Sequence, residues 1–173
     1  MQAAFKHGAL AAILMSAWRL AEFALGLHTS RVGIGYYTSA GTDLILAIVL
    51  WHLLHQRAKR AGGTPPTLAE NLLQGLLASL VAAMVFTVFV SLYLNFINPD
   101  YPDFMLEWKV AHSRAEGIPE EKIRAMARIY RWSVGPVGLP VMIFGRCLLV
   151  AALAPPLFTR MLNRWKPSPV NGP

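Results

Sequence analysis

The sequence predicts an all-α polytopic membrane protein with four transmembrane helices, an amphipathic helical hairpin between the third and the fourth, and both termini in the cytoplasm. Three observations lead to this fold class. The chain has 173 residues, of which 55% are hydrophobic and only 14% charged. Its apolar residues form blocks long enough to cross a bilayer, and its surplus positive charge lies beside those blocks. We therefore expect a single membrane domain over residues 1–173.

The net charge of +7 comes from basic residues that flank the apolar blocks and have no acidic residue among them. Such basic segments collect on the cytoplasmic side of a membrane, and an even number of spans brings all of them to that side. The charge therefore predicts N-in and C-in topology, with contacts to membrane lipids and none to nucleic acid. The residues are Lys6, Arg57, Lys59, Arg60, Arg160, Arg164 and Lys166.

The first two predicted spans cover about residues 8–27 and about residues 36–56. The beginning of the first one, Ala9 to Ala17, also fits the short apolar region of a signal peptide. We favour a span because the apolar pattern resumes beyond it. Aromatic residues lie near both ends of the second span, as they do at membrane–water interfaces.

The third predicted span covers about residues 68–97. Residues 62–66, Gly-Gly-Thr-Pro-Pro, interrupt the chain before it, and Thr67 with Glu70 matches a capping box at its start. Asn98 and Pro99 follow its last apolar residues and are expected to end it.

An amphipathic hairpin is predicted over about residues 103–132, with Asp103 as the cap of its first helix and Gly117 at the turn. Its second helix has an apolar face and a charged face, which is typical of a helix on the outer membrane surface. The fourth span follows over about residues 138–159, and Pro155 and Pro156 are expected to bend or end it. Residues 166–173 are predicted to form a polar tail.

This pattern resembles a known family of bacterial four-helix membrane proteins, domain of unknown function 4199. The resemblance covers nearly the whole chain. It rests on Phe96-Ile97-Asn98-Pro99-Asp100-Tyr101 after the third span, on the turn Gly117-Ile118-Pro119-Glu120-Glu121-Lys122-Ile123, and on the acidic Glu70. The resemblance implies the four-helix fold and a multi-pass location in a bacterial inner membrane, and it brings no catalytic residues with it.

Four charged residues lie away from the ends of the predicted spans: Arg19, Glu22, Asp43 and Arg146. A charge near the centre of a span costs about 3 kcal/mol unless it is paired. At a rise of about 1.5 Å per residue, all four lie on the outer side of the middle of their spans. We therefore expect one intramembrane polar layer that faces the bundle interior or a partner. A structural ion-pair network, a proton or ion path, and a contact to another subunit or a lipid headgroup remain open as its role.

His52 and His55, at i and i+3 near the inner end of the second span, are candidate ligands for a haem, a chlorophyll or a metal ion. The alternative that the sequence favours is a pair of interfacial histidines beside Trp51 and Gln56, because two histidines without carboxylates or cysteines are a weak metal signature. We predict no metal site and no cofactor, with bound lipid as the expected non-protein component. The single cysteine, Cys147, has no disulfide partner.

No phosphate-binding loop, nucleophile elbow or zinc-protease motif occurs in the chain, so we predict that it is not an enzyme. The first functional hypothesis is a non-catalytic accessory or structural subunit of a larger membrane complex, such as a respiratory or photosynthetic one, with other membrane subunits as partners. The alternative is a small homo-oligomeric transporter or channel that uses the intramembrane charged layer.

Overall fold

We describe the fold from a computed structural model, which covers residues 1–61 and 66–164. The predicted break at residues 62–66 lies, except for Pro66, outside the described residues, as does the predicted polar tail at residues 166–173. The described ranges contain no strand, which confirms the all-α class. The helices are α1 (Gln2–Ala24), α2 (Val32–Thr38), α3 (Gly41–Arg60), α4 (Leu68–Leu92), α5 (Tyr101–Ala115), α6 (Glu120–Val134) and α7 (Gly138–Arg164), with a π-helical turn (Tyr93–Ile97) after α4.

Three stretches of the described chain are long and apolar enough to cross a membrane: Val32–Arg60, Leu68–Ile97 and Gly138–Asn163. They correspond to the second, third and fourth predicted spans. Helix α1, the predicted first span, is not among them, because Lys6, Arg19 and Glu22 interrupt its apolar run.

Helix α4 lies at the centre of the bundle, where it contacts α1, α3 and α7. Small residues let these helices approach closely. A Cβ atom added to Gly8 of α1 would lie 2.4 Å from the carbonyl oxygen of Ala78 in α4. Alanines 11, 12, 82 and 83 are fully buried at the same contact. The small-residue faces of α1 and α4 therefore pack against each other.

The second predicted span begins as two helices instead of one. A turn at Ser39 and Ala40 interrupts the regular helix between α2 and α3. At this break the indole Nε1 of Trp18 donates to the carbonyl oxygen of Thr38 at 3.2 Å. A Cβ atom on Gly41 would lie 2.6 Å from the same indole ring, so only glycine lets Trp18 pack there. The break places Asp43 in the first turn of α3.

Helix α1 ends at Ala24, three residues before the predicted end of the first span. Gly26 has a φ of 73°, the left-handed conformation that ends many helices. The amide of Leu27 donates to the carbonyl of Glu22 at 2.9 Å, and the amide of Gly26 donates to that of Phe23, also at 2.9 Å. These two bonds define a Schellman motif. It turns the chain back so that His28 lies against the last turns of α1.

The predicted capping box at the start of α4 is confirmed. The Thr67 hydroxyl accepts from the Glu70 amide at 3.2 Å, and the Glu70 carboxylate accepts from the Thr67 amide at 2.8 Å. At the other end the helix widens into the π-helical turn, in which the Asn98 amide donates to the Tyr93 carbonyl at 2.9 Å. Widened turns of this kind are frequent at functional sites.

The hairpin forms as α5 and α6, and Gly117, at a φ of 74°, makes the turn between them. The prediction that Asp103 caps the first helix is wrong, because the helix already begins at Tyr101. The two prolines Pro155 and Pro156 do not end the last helix, since α7 continues to Arg164, and the alternative that they bend it stays a prediction. Membrane helices tolerate proline when a neighbouring helix covers it. Here a Cβ atom on Gly75 of α4 would lie 2.5 Å from the Pro155 ring.

Candidate functional site

The four charged residues form two separate ion pairs at the hairpin end of the bundle. Arg19 pairs with Glu22 within α1, and Arg146 of α7 pairs with Asp43 of α3. The expected single layer is therefore divided into two sites that have the same charge content and different neighbours. No hydrogen bond within the described residues joins one pair to the other.

The first pair is buried. Nη1 of Arg19 donates to Oε2 of Glu22 at 3.2 Å, and the exposed fractions of the two side chains are 6% and 1%. The spacing i, i+3 places both side chains on one face of α1. The guanidinium also lies over the Tyr101 ring, 5.6 Å from its centroid, where a cation interacts favourably with the aromatic face.

His28 completes this pair, because the Schellman motif brings its ring beside both charges. Its Nε2 lies 2.9 Å from Nη1 of Arg19 and 3.3 Å from Oε2 of Glu22. A guanidinium can only donate, so Nε2 acts as an acceptor toward it. The proton then lies on Nδ1, which donates to the Tyr93 hydroxyl at 2.6 Å.

Further polar groups surround the pair on its remaining sides. Nδ2 of Asn98 lies 3.0 Å from the Tyr93 hydroxyl and 3.3 Å from the His28 carbonyl oxygen. On the opposite side the Thr38 hydroxyl donates to the other carboxylate oxygen of Glu22. Helix α1, helix α2 and the end of α4 thus all supply partners. We call this group, Arg19, Glu22, His28, Thr38, Tyr93 and Asn98, the closed cluster.

Burial lowers the pKa of His28 below its ordinary value, and the positive charge of Arg19 lowers it further. The nearby Glu22 carboxylate acts in the opposite direction and does not outweigh the effect of burial. The imidazole is therefore neutral at neutral pH, in agreement with the proton on Nδ1.

The second pair is half-exposed. Nε and Nη2 of Arg146 both donate to Oδ2 of Asp43, with Nε at 3.2 Å. The exposed fractions of the two side chains are 39% and 32%. Asp43 lies in the first turn of α3, where the helix dipole stabilises an anion. Both hydrogen bonds go to one carboxylate oxygen, and Nη1 of Arg146 has no partner within the described residues.

A cavity of about 440 Å³ lies between the two pairs, and all seven helices or the turns between them contribute to its wall. Ligand sites in proteins range from about 300 to 1,000 Å³. Both arginines line this cavity, whereas neither Glu22 nor Asp43 does. The largest polar groups of the wall are Arg19, Arg146, Tyr36, Tyr37, Tyr101 and Tyr130. Burial raises the pKa of the Tyr130 phenol, which therefore remains protonated.

The histidines of the second span lie at the opposite end of the bundle. His52 bonds with Gln56 at 2.8 Å, and the His55 ring stacks on Trp51 with a centroid distance of 5.8 Å. His7 of α1 lies beside His52, at 5.8 Å between centroids. In the described part of the chain, no group of three or more histidine, cysteine or acidic side chains could hold a metal ion. Contact with a haem or a chlorophyll stays a hypothesis.

Sequence reasoning missed the partners of Arg19. No pattern in the sequence predicted a role for His28, Thr38 or Tyr93. Asn98 and Tyr101 belong to the motif after the third span that carries the family resemblance. That motif is the one feature of the sequence that pointed to the residues around the end of α4.

The fold and the site define a helical protein of membrane type with a buried ionic cluster at one end. A family model described as "Protein of unknown function (DUF4199)" matches residues 6–154. The match covers most of the chain, and the chain belongs to this family. No curated protein and no solved structure matches it.

Proposed function

We propose that this chain is a non-catalytic accessory or structural subunit of a larger membrane complex, such as a respiratory or photosynthetic one. One observation carries the proposal: the closed cluster satisfies a buried cation and a buried anion with groups of this chain alone. Breaking a buried ion pair costs several kcal/mol, whereas a complete one holds its helices in one arrangement. The cluster joins α1, α2 and α4 in that way.

We further propose that α1 is a fourth span. It has 23 residues and is about 34 Å long at about 1.5 Å per residue, which exceeds a hydrocarbon core of about 30 Å. It packs against α3 and α4, and the two charges in its last turns, Arg19 and Glu22, compensate each other inside the bundle. Four spans would place both termini on one side, and the basic flanking residues assign that side to the cytoplasm of a bacterial inner membrane.

Partner subunits have ample surface to contact. Only 33%, 39% and 28% of the residues in the most apolar part of the three candidate spans are buried within this chain. The remaining faces must contact lipid or other protein. The exposed Trp132 and Ile129 of α6 add apolar surface at the hairpin end.

Copurification tests the proposal. The tagged chain is extracted from its native membrane in a mild detergent, and the sample is analysed by native gel and mass spectrometry. The proposal predicts a foreign subunit in constant stoichiometry through two purification steps. A monomer or homo-oligomer without such a subunit, under conditions that preserve known complexes of the same membrane, would contradict it.

The alternative is a small homo-oligomeric transporter or channel, which the cavity beside Arg19 and Arg146 favours. Against it, the bundle below the closed cluster is filled by Met15, Leu50 and Phe86, each at most 1% exposed. An ion has no polar groups to follow through this layer. Reconstituted vesicles decide the question: a transporter would show ion or proton flux that Glu22→Gln and Asp43→Asn change, and unchanged flux would remove the alternative.

A further inference from the structure

The two ion pairs present their charges unequally to the cavity between them. Arg19 and Arg146 both line it, and no acidic residue does. Arg19 is only 6% exposed, whereas Arg146 is 39% exposed although it pairs with Asp43. A molecule in the cavity therefore meets Arg146 directly and lies near the buried charge of Arg19. Such a wall attracts anions even though the two pairs are neutral as a whole.

The accessible donors suit an oxyanion. Arg146 is 39% exposed and keeps Nη1 free of any partner within the described residues. Arginine binds phosphate through planar, paired N–H groups, and tyrosine hydroxyls can donate to further oxygens. The tyrosines that line the cavity are Tyr36, Tyr37, Tyr101 and Tyr130.

The part of the wall next to Arg146 is apolar. Leu139, Met142 and Ile143 precede Arg146 on the same face of α7 and line the cavity together with Met105 of α5. Met142 is 46% exposed, so this side continues onto the outer surface of the bundle. The cavity thus combines a cationic end with an apolar side, which matches a molecule that carries both a phosphate group and hydrocarbon.

We propose that this cavity binds a phosphate group, held chiefly by Arg146, with Arg19 contributing positive charge from the wall. The phosphate of an anionic phospholipid and a free phosphate ion share this chemistry, and the apolar side favours the phospholipid. The site does not depend on the proposed role as a subunit, because a lone purified chain contains every residue of it.

Thermal unfolding of the purified protein in a non-ionic detergent tests this proposal, since a ligand that binds only the folded state raises Tm. The probes are inorganic phosphate, dioleoylphosphatidylglycerol and, as a phosphate-free control, dioleoylglycerol. Binding of the phospholipid alone identifies a headgroup site, and binding of both phosphate compounds identifies a site for free phosphate as well. Both results support the proposal. Stabilisation by dioleoylglycerol equal to that by the phospholipid overturns it.

Two arginine variants test whether the site lies at Arg146. Arg146→Gln should weaken binding about tenfold or more, because one charge-assisted donor pair is lost. Arg160→Gln changes the same residue type on the same helix outside the cavity and should bind as the unchanged chain does. Undiminished affinity in Arg146→Gln overturns the proposal.

Asp43→Asn keeps the proposal testable if Arg146→Gln does not fold. This variant removes the competing carboxylate and leaves the guanidinium, so we expect phosphate compounds to bind at least as tightly as to the unchanged chain. If the Asp43–Arg146 pair served only to hold α3 and α7 together, its loss would loosen the cavity wall and weaken the binding of phosphate compounds. Weaker binding by Asp43→Asn would therefore contradict an anion site at Arg146.

Discussion

The two ion pairs of this protein have the same charge content and lie at the same end of the bundle, yet their surroundings differ. The Arg19–Glu22 pair is 6% and 1% exposed and has a histidine, a threonine and a tyrosine–asparagine contact around it. In the second pair Arg146 is 39% and Asp43 32% exposed, and within the described residues the two side chains make hydrogen bonds only with each other. The number of neighbouring groups, and not the charge, separates a structural pair from an accessible one.

This difference follows from backbone geometry. The Schellman motif at Gly26 folds His28 back onto α1, and the π-helical turn places Tyr93 where it meets that ring. Arg146 lies in the regular part of α7, opposite the break between α2 and α3. No turn brings a further polar group to it, so one side of its guanidinium stays open.

The largest expected effect is that of Glu22→Gln. This change leaves the buried Arg19 without its counter-ion, and removing one partner of a buried pair destabilises a protein by about 3 kcal/mol or more. Unfolding in a denaturing detergent, followed by circular dichroism, measures the loss. Glu121→Gln on the exposed surface of α6 is the matched control and should change little. Equal stability of the two variants would show that the cluster does not hold the fold.

The next effect is a pH dependence that arises from His28. Its pKa is lower in the folded protein than its ordinary value of 6.5, so the unfolded chain takes up the proton first as the pH falls. The contribution of His28 to stability is therefore complete above about pH 6.5 and is lost progressively below it. Thermal unfolding across this range measures the effect.

A variant pair identifies the histidine responsible. His28→Gln should flatten the pH dependence of Tm, whereas His112→Gln, at a side chain that is 37% exposed, should leave it as it is. An unchanged pH profile in His28→Gln would mean that another group titrates.

A smaller effect is expected for Asp43→Asn. More than a third of the Arg146 side chain is exposed, and pairs open to solvent contribute about 0.2–1 kcal/mol. A double-mutant cycle of Asp43→Asn and Arg146→Gln measures their coupling free energy. A coupling as large as the loss in Glu22→Gln would remove the distinction between the two pairs.

The smallest effect is expected at the hairpin surface. Arg114 bonds with Glu120 at 2.7 Å and holds the pKa of that carboxyl below its ordinary value, but both side chains are more than half exposed. Solvent and salt screen such a pair. Arg114→Gln should therefore unfold at the same temperature as the unchanged chain at moderate salt, and a clear shift would indicate that the hairpin contacts are tighter than this pair suggests.

Much of the fold could be predicted from local patterns. The capping box at Thr67, the glycine turn at Gly117 and the apolar blocks of three spans each depend on residues close in sequence. The break before Gly41 could not be predicted in this way, because it depends on the indole of Trp18 from another helix. The packing of Pro155 within α7 likewise depends on Gly75 of α4, whose missing side chain leaves room for the proline ring.

The site could be predicted only in part. Helical spacing placed Arg19 and Glu22 on one face, and charge balance indicated that the cations and anions would pair. Which cation pairs with which anion depends on how α3 packs against α7. Asp43 and Arg146 are 103 residues apart in the chain, so no local pattern reveals that they meet. The role of His28 depends on a backbone turn that single-residue patterns do not reveal.

Chemical labelling of arginine tests the central distinction most directly. The folded protein in mild detergent is treated with phenylglyoxal, and the modified arginines are identified by peptide mass spectrometry, with the exposed Arg160 as reference. We predict that Arg146 reacts in the folded protein and that Arg19 reacts only after unfolding. Modification of Arg19 at the rate of Arg146 in the folded protein would show that the cluster around Glu22 and His28 is not closed.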